Sequence, residues 1–237
     1  MTVKAVVFDW GGTLTPWHDI DLHAQWYAYA EVYDPVNASS LARRLLEGES
    51  QRWQRQRETE GAVSTGALDQ LFVDEGIDIN GARHLRALGE YLDFWDPHTH
   101  AHPDAQDVLA ALKQRDYRVG VLSNTMWPRQ HHQEVFARDD LDVYLDAAVY
   151  TSELPVAKPH TDAFIAILDA LGVTPREAVF VGDRLWDDIF GAQQAGMRAI
   201  WIPHSSVPSE QVPDDSATPD AVAHRLLDVF TIVESWQ

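Results

Sequence analysis

The chain has 237 residues, of which 37 are acidic and 18 basic, so its formal net charge at pH 7 is -19. So few cations exclude a broad basic surface for nucleic acid or anionic lipid, and the lack of cysteine excludes disulfides and thiolate metal sites. Because the sequence shows neither a signal-peptide pattern nor a run near the roughly 20 apolar residues that span a bilayer, we expect a cytoplasmic protein without a membrane partner.

The first predicted element is a buried strand that ends in a lone carboxylate. Residues 3–15 read VKAVVFDWGGTLT, and such an apolar run is typical of a strand covered on both faces. Asp9 ends the run, Gly11 and Gly12 leave room beside the backbone, and Thr13 supplies a hydroxyl group. The segment therefore predicts a loop that wraps a small anion.

A helical segment follows this strand. Residues 16–96 contain no convincing strand, and their apolar periodicity predicts helices over 20–33, 38–58, 65–75 and 80–94. Asn37 and Ser64 are the predicted N-caps of the second and third of these helices. An all-helical segment inserted directly after a first strand predicts a cap domain above a separate core.

Strands alternate with helices from about residue 100 onward. Short apolar runs predict strands over 117–123, 147–150, 178–183 and 198–202, and helices are predicted over 102–115, 161–171 and 186–195. Residues 205–219 are predicted to form a surface loop before a final helix. The alternation predicts a doubly wound α/β core with a parallel sheet, formed by residues 1–15 and 97–237, and residues 16–96 form the predicted cap.

Polar residues follow the predicted strands. Ser123 lies in VLSNT, Lys158 in VAKPHTDAF, and Asp183 and Asp188 in VGDRLWDDIFGAQQAGM. Because the carboxyl ends of parallel strands point into one crevice, we expect these residues to lie beside Asp9. Several carboxylates around one small anion repel each other unless a cation joins them, and an oxygen-only ligand set suits Mg²⁺.

In this order, the four segments resemble the motifs of the haloacid dehalogenase superfamily, whose first motif is usually written DxDGT. The resemblance implies a Rossmann-like core with an inserted cap and a hydrolase, with a Mg²⁺-dependent phosphatase of a small phosphorylated metabolite as the favoured activity. It implies that Asp9 is the nucleophile and that Ser123 and Lys158 assist catalysis. The implied metal ligands are Asp9, the Gly11 carbonyl group, Asp183 and Asp188, and the implied substrate-binding residues are Gly12, Thr13 and Asn124.

One position departs from that first motif. Gly11 stands where the superfamily carries a second Asp, which protonates the leaving group and then activates water, a role worth about 10² to 10⁴ in rate. The change spares the nucleophile and the backbone ligand of the metal. Two other functions therefore stay open: a catalytically weak or silent phosphate-binding regulatory protein, and a dehalogenase-like or phosphonate-cleaving hydrolase.

The sequence lacks one characteristic feature of each of these two hydrolases, the dehalogenase-like and the phosphonate-cleaving. The last motif of haloacid dehalogenases is similar to SSN, whereas this chain has Gly182 and Asp183 at that place. Phosphonoacetaldehyde hydrolases carry DWAGT, close to DWGGT here, but they need a cap lysine, and this chain has no lysine between Lys4 and Lys113. Hydrolysis of a phosphate ester is therefore the favoured expectation.

Histidines lie near both predicted hinges, and one of them, His18, is a candidate for the missing proton carrier. His18 follows the first motif, and an imidazole suits acid–base chemistry near neutral pH. His98, His100 and His102 alternate along the second hinge, where an extended segment would place them on one face as a conceivable metal site. A neighbouring pair, residues 131 and 132, is predicted to lie on a solvated helix face. The tryptophans near the motifs either line a pocket or pack the seam between cap and core.

Overall fold

The computed structural model describes residues 2–58, 63–203 and 217–237. Its centre is a parallel sheet of six strands: β1 Ala5–Phe8, β2 Arg118–Ser123, β3 Ala147–Tyr150, β4 Ala178–Gly182, β5 Arg198–Trp201 and β6 Ala221–Val222. The strand order is β3-β2-β1-β4-β5-β6, and every neighbouring pair is parallel. The predicted doubly wound α/β fold is therefore confirmed, with all four strands expected after residue 100.

The central strands are buried on both faces, which explains their apolar sequences. Alternate side chains of β1 enter two different apolar clusters, one on each face of the sheet. Phe8 at the end of β1 pairs with Val121 in β2 and with Val181 in β4. The residues that follow these three strands therefore meet at the carboxyl end of the sheet.

Five helices accompany the strands of the core: α5 Ala105–Lys113, α6 Arg129–Arg138, α7 Thr161–Leu171, α8 Gly191–Gln194 and α9 Asp228–Glu234. α7 has the predicted bounds and ends at Gly172, whose φ of 63° is left-handed. The helix predicted over 186–195 is shorter, because Leu185–Phe190 form a wider turn in which Asp188 accepts a hydrogen bond from the Arg184 amide. The predicted final helix is α9, and most of the loop predicted over 205–219 lies outside the described residues.

Four helices form the cap, as predicted: α1 Leu22–Tyr33, α2 Ala38–Glu58, α3 Leu68–Asp74 and α4 Ala82–Trp95. The Asp21 carboxylate caps α1 by accepting hydrogen bonds from the amides of residues 23 and 24. Asn37 precedes α2 as expected. Its side-chain amide donates to the Asp34 carboxylate rather than capping the helix. Ser64 is not an N-cap, because α3 begins only at Leu68 and the Ser64 hydroxyl donates to the Thr151 carbonyl group.

One apolar cluster continues from the core into the cap. The cluster contains Val121 of β2 and Leu109 of α5 in the core. It also contains Trp26, Phe72 and Tyr91 of the cap helices. The division into residues 1–15 with 97–237 and residues 16–96 stays a prediction. Within the described ranges, no helix is both long and apolar enough to cross a membrane.

Candidate active site

Asp9 lies at the carboxyl end of β1, in the middle of the sheet. Its amide donates to the Val181 carbonyl group at 2.9 Å, which continues the ladder between β1 and β4. The chain then turns tightly over Trp10–Leu14. Gly12 has a φ of +82°, and a Cβ atom there would lie 2.6 Å from the Asp183 Oδ2 atom. The turn therefore requires glycine at position 12 for both its conformation and its contact with the neighbouring carboxylate.

Lys158 joins two carboxylates beneath this turn. Its Nζ atom lies 2.7 Å from Asp9 Oδ1 and 2.6 Å from Asp188 Oδ1, and the residue is only 2% exposed. Burial alone would lower the pKa of Lys158, but the carboxylates of Asp188 and Asp9 raise it above its ordinary value. The site therefore holds a fixed positive charge against the predicted nucleophile.

The three aspartates of the site form a compact cluster of oxygen atoms. Asp9, Asp183 and Asp188 each offer a carboxylate oxygen within 4.8 Å of the others. Burial raises the pKa of Asp9 to about 6, although Lys158 opposes the shift. Burial and the Asp188 and Asp9 carboxylates raise the pKa of Asp183 well above its usual range. Such a cluster resists full ionisation unless a further cation neutralises it.

The carboxylate of Asp183 is the group that most directly indicates a cation site. Both of its carboxylate oxygens are buried, and neither has a hydrogen-bond partner in the described part of the chain. Arg184 Nε lies 3.4 Å from one of them, without the alignment of a hydrogen bond. Unpaired buried carboxylate oxygens are costly, and a divalent cation bound by hard oxygen ligands would satisfy them. The residues present therefore fit Mg²⁺.

The other predicted site residues surround this cluster. Ser123 is buried at the end of β2. Asn124 binds the main chain of Lys158 on both sides, since its Oδ1 accepts from the Lys158 amide at 2.9 Å and its Nδ2 donates to the Lys158 carbonyl group at 3.1 Å. Thr13 has a buried hydroxyl without a hydrogen-bond partner among the described residues. Contact of Asn124, Gly12 and Thr13 with substrate stays a prediction.

The hinge histidines do not form one metal site. The ring of His98 packs against His18, with ring centroids 5.2 Å apart. His100 faces Asp139, with 3.4 Å between its Nδ1 and the carboxylate, and the Nδ1 atom of His102 accepts from the Asp104 amide. The three alternating side chains therefore have separate partners, and among the described residues only the aspartate cluster has the spacing of a metal site.

The prediction of a solvated face for His131 and His132 is wrong. His132 is fully buried, with its ring stacked 4.3 Å from Tyr150 and set edge-on 5.0 Å from Trp10. His131 packs edge-on against Trp127 at 4.7 Å. Trp10 and Trp127, which follow two of the predicted strands, therefore pack against the histidines of α6.

One residue at the site was not predicted from the sequence. Gln56 in cap helix α2 donates from Nε2 to the Lys158 carbonyl group at 3.1 Å. The polar sequence of the second half of α2 gives no sign of burial, and the two residues are 102 positions apart. Only the packing of the cap on the core brings them together.

Comparisons with known proteins bear on the family and the fold of the chain. The family model of haloacid dehalogenase-like hydrolases matches residues 3–196. The chain is 28% identical over 231 residues to a glyceraldehyde 3-phosphate phosphatase of Methanopyrus kandleri, covering 98% of this chain and 97% of that protein. It is 29% identical over 218 residues to (S)-2-haloacid dehalogenase 4A of Burkholderia cepacia, covering 88% and 87%. The crystal structure of a HAD phosphatase from Thermococcus onnurineus matches with a TM-score of 0.68 at 23% identity, covering 98% of both chains.

Proposed function

Because this chain belongs to the haloacid dehalogenase-like hydrolases, we propose that it is a Mg²⁺-dependent phosphatase of a small phosphorylated metabolite, with Asp9 as the nucleophile. The observation that carries the proposal is the pair of buried carboxylate oxygens of Asp183, which have no hydrogen-bond partner among the described residues and lie beside Asp9 and Asp188. Transfer of a phosphoryl group gains from such a cation site, whereas the displacement of halide needs no cation. The names of the relatives include both activities, so the proposal of a phosphatase rests on the residues of the site.

In the proposed reaction, a carboxylate oxygen of Asp9 attacks phosphorus, the bond to the leaving oxygen breaks, and an aspartyl phosphate forms. Water then attacks that phosphorus, releases phosphate and restores the Asp9 carboxylate. Lys158 holds Asp9 in position and offsets the charge of the transferring group. Ser123 is proposed to donate its hydroxyl to a phosphoryl oxygen.

The metal would be held by Asp9, the Gly11 carbonyl group, Asp183 and, directly or through water, Asp188. When bound, Mg²⁺ supplies charge that lets the carboxylates and the phosphoryl group lie together. The rest of the site has to protonate the leaving oxygen. Gly11 carries no group for this step, so leaving groups that depart as stable anions are the proposed best substrates.

Cleavage of a phosphonate through a lysine imine receives no support from the positions of the lysines. Lys4 pairs with Glu177 at 2.5 Å and Lys113 pairs with Asp146 at 2.6 Å. Both lie near the amino ends of the strands, opposite the site, and the cap contains no lysine. A second function, a phosphate-binding regulatory protein with slow turnover, is favoured by Gly11 alone.

The test is a panel of alkyl and aryl phosphate monoesters, assayed with and without Mg²⁺ on the native chain and on Asp9→Asn. We expect Mg²⁺-dependent release of phosphate, faster from aryl esters, and loss of it in Asp9→Asn. Activity that survives Asp9→Asn would contradict the role of Asp9. Binding of Mg²⁺ and beryllofluoride without turnover of any ester would favour the regulatory function instead.

A further inference from the structure

Two side chains form hydrogen bonds with the main chain of Lys158, and one of them belongs to the cap. Its carbonyl oxygen accepts a hydrogen bond from Asn124 in the core and another from Gln56 in α2, each at 3.1 Å. A carbonyl oxygen has two lone pairs, so the two donors use its full capacity. The orientation of this peptide group, from which the Lys158 side chain extends to Asp9, thus depends on the cap as well as on the core.

The segment before Lys158, residues 151–157, contacts this part of the cap. The Ser64 amide donates to the Pro155 carbonyl group at 3.1 Å, and the Ser64 hydroxyl donates to the Thr151 carbonyl group at 2.5 Å. Val63 forms an isolated antiparallel bridge with Val156. Gln56 therefore belongs to a group of contacts from described cap residues to the main chain of residues 151–158.

Stability alone does not explain a glutamine at position 56. The residue is 4% exposed, and its Oε1 atom is buried without a hydrogen-bond partner among the described residues. An unpaired buried polar atom costs about 1–3 kcal/mol, which an apolar side chain of the same length would avoid. What glutamine adds over such a side chain is the donor to Lys158.

We propose that Gln56 is a positioning residue, through which the placement of Lys158 depends on the packing of the cap against the core. With the cap in place, two donors fix the Lys158 peptide group and hold its ammonium between Asp9 and Asp188. Without the Gln56 donor, the peptide group rotates more freely, and the ammonium spends less time against the nucleophile. The consequence for catalysis rests on the proposed function.

The test compares Gln56→Met and Gln56→Glu with Gln54→Met. Methionine keeps the length of the side chain without a donor, and glutamate keeps its shape but places an acceptor against the carbonyl oxygen. Gln54 is a matched control, because it lies on the exposed face of the same helix and donates only to Glu58. We expect both Gln56 variants to lower kcat about tenfold, the effect of one lost hydrogen bond. KM should change less than about twofold, and Gln54→Met should match the native chain.

The loss of kcat/KM should be equal for alkyl and aryl phosphates, because Lys158 acts on the phosphoryl group that all of these substrates share. A loss that varies with the leaving group would contradict the proposal, since Gln56 would then contact substrate. A loss proportional to the fraction of unfolded protein, measured by thermal unfolding, would also contradict it.

Amide hydrogen exchange gives a readout that needs no substrate. We expect faster exchange in residues 151–158 of Gln56→Met than in the native chain or Gln54→Met, with no change in the strands of the core. Unchanged exchange in this segment would overturn the coupling whatever the activity. If no ester is hydrolysed by any variant but exchange rises as expected, the coupling stands and the proposed phosphatase activity fails.

Discussion

At the scale of the residue, the proposed mechanism depends most on Gly11. Its φ of -73° and ψ of 120° are open to any amino acid, and a Cβ atom there would meet nothing within 4 Å. Gly12, its neighbour, differs on both counts, since its φ is positive and a Cβ atom would strike Asp183. Position 11 is therefore glycine without a steric reason, since both its conformation and its surroundings accept a Cβ atom.

Gly11→Asp should raise the turnover of alkyl phosphates, because it restores a carboxyl group able to protonate the leaving oxygen. General acid–base help of this kind is worth about 10² to 10⁴, and we expect the lower part of that range in an environment not shaped for the acid. In kcat/KM, which reports formation of the aspartyl phosphate, aryl phosphates should gain much less, because their leaving groups need little protonation. Values of kcat/KM for the two ester classes measure the difference, with Gly11→Asn as the control that fills the same space without an acid. Equal rates in Gly11→Asp and Gly11→Asn would show that the missing acid is not what limits the enzyme.

At the scale of the element, helix α6 supports the turn that carries Asp9. Arg129 lies over the ring of Tyr150 at 4.9 Å, Tyr150 stacks on His132, and the ring of His132 contacts Trp10, which follows Asp9. His132 Nε2 also lies 3.1 Å from Thr125 Oγ1. Burial, with smaller effects of His131 and Arg129, lowers the pKa of His132 to about 3 from its ordinary value of 6.5.

This shift predicts that His132 makes the fold less stable in acid. Between pH 6.5 and about 3 the unfolded chain binds a proton at His132 that the folded chain does not, so the contribution is complete above pH 6.5 and is lost as the pH falls. The slope from one such group is at most about 1.4 kcal/mol per pH unit. Denaturant unfolding at several pH values should therefore give a flatter profile for His132→Phe than for the native chain in this window. Parallel profiles would contradict the buried, neutral His132.

The elements differ in how well the sequence predicts them. Strands β1, β2 and β4 were predicted because burial on both faces leaves an unbroken apolar run. β6 has two residues, Ala221–Val222, too few for any pattern, and it was missed. His132 was misjudged because its neighbours in α6 are polar, and its burial depends on β3 and on the turn after β1. The aspartates and Lys158 follow recognisable motifs, whereas Gln56 has no local signal.

At the scale of the whole molecule, the cap is attached to the core at points close to the site. Trp127 Nε1 donates to the Tyr91 hydroxyl at 3.1 Å, and the Leu68 amide donates to the Met126 carbonyl group at 2.7 Å. The apolar cluster that surrounds these contacts extends through both parts. Among the described residues, the apolar cluster of the cap is therefore shared with the core.

We expect a single cooperative unfolding transition. Calorimetry, tryptophan fluorescence and far-ultraviolet circular dichroism should report the same midpoint, because neither part can unfold without exposing the shared cluster. Tyr91→Phe removes one buried hydrogen bond and should lower the midpoint by about 2–4 °C without splitting the transition. Two resolved transitions would contradict the shared core.

The most direct test of the proposed mechanism is to trap the phosphorylated aspartate. Borohydride reduces an acyl phosphate to an alcohol, so an enzyme quenched during turnover of an aryl phosphate with Mg²⁺ should contain homoserine at position 9, detected by peptide mass. The missing acid–base group at position 11 slows hydrolysis of the intermediate, and the native chain should therefore accumulate more homoserine than Gly11→Asp. Release of phosphate with Asp9 unchanged after the quench, or with homoserine at another aspartate, would contradict Asp9 as the nucleophile.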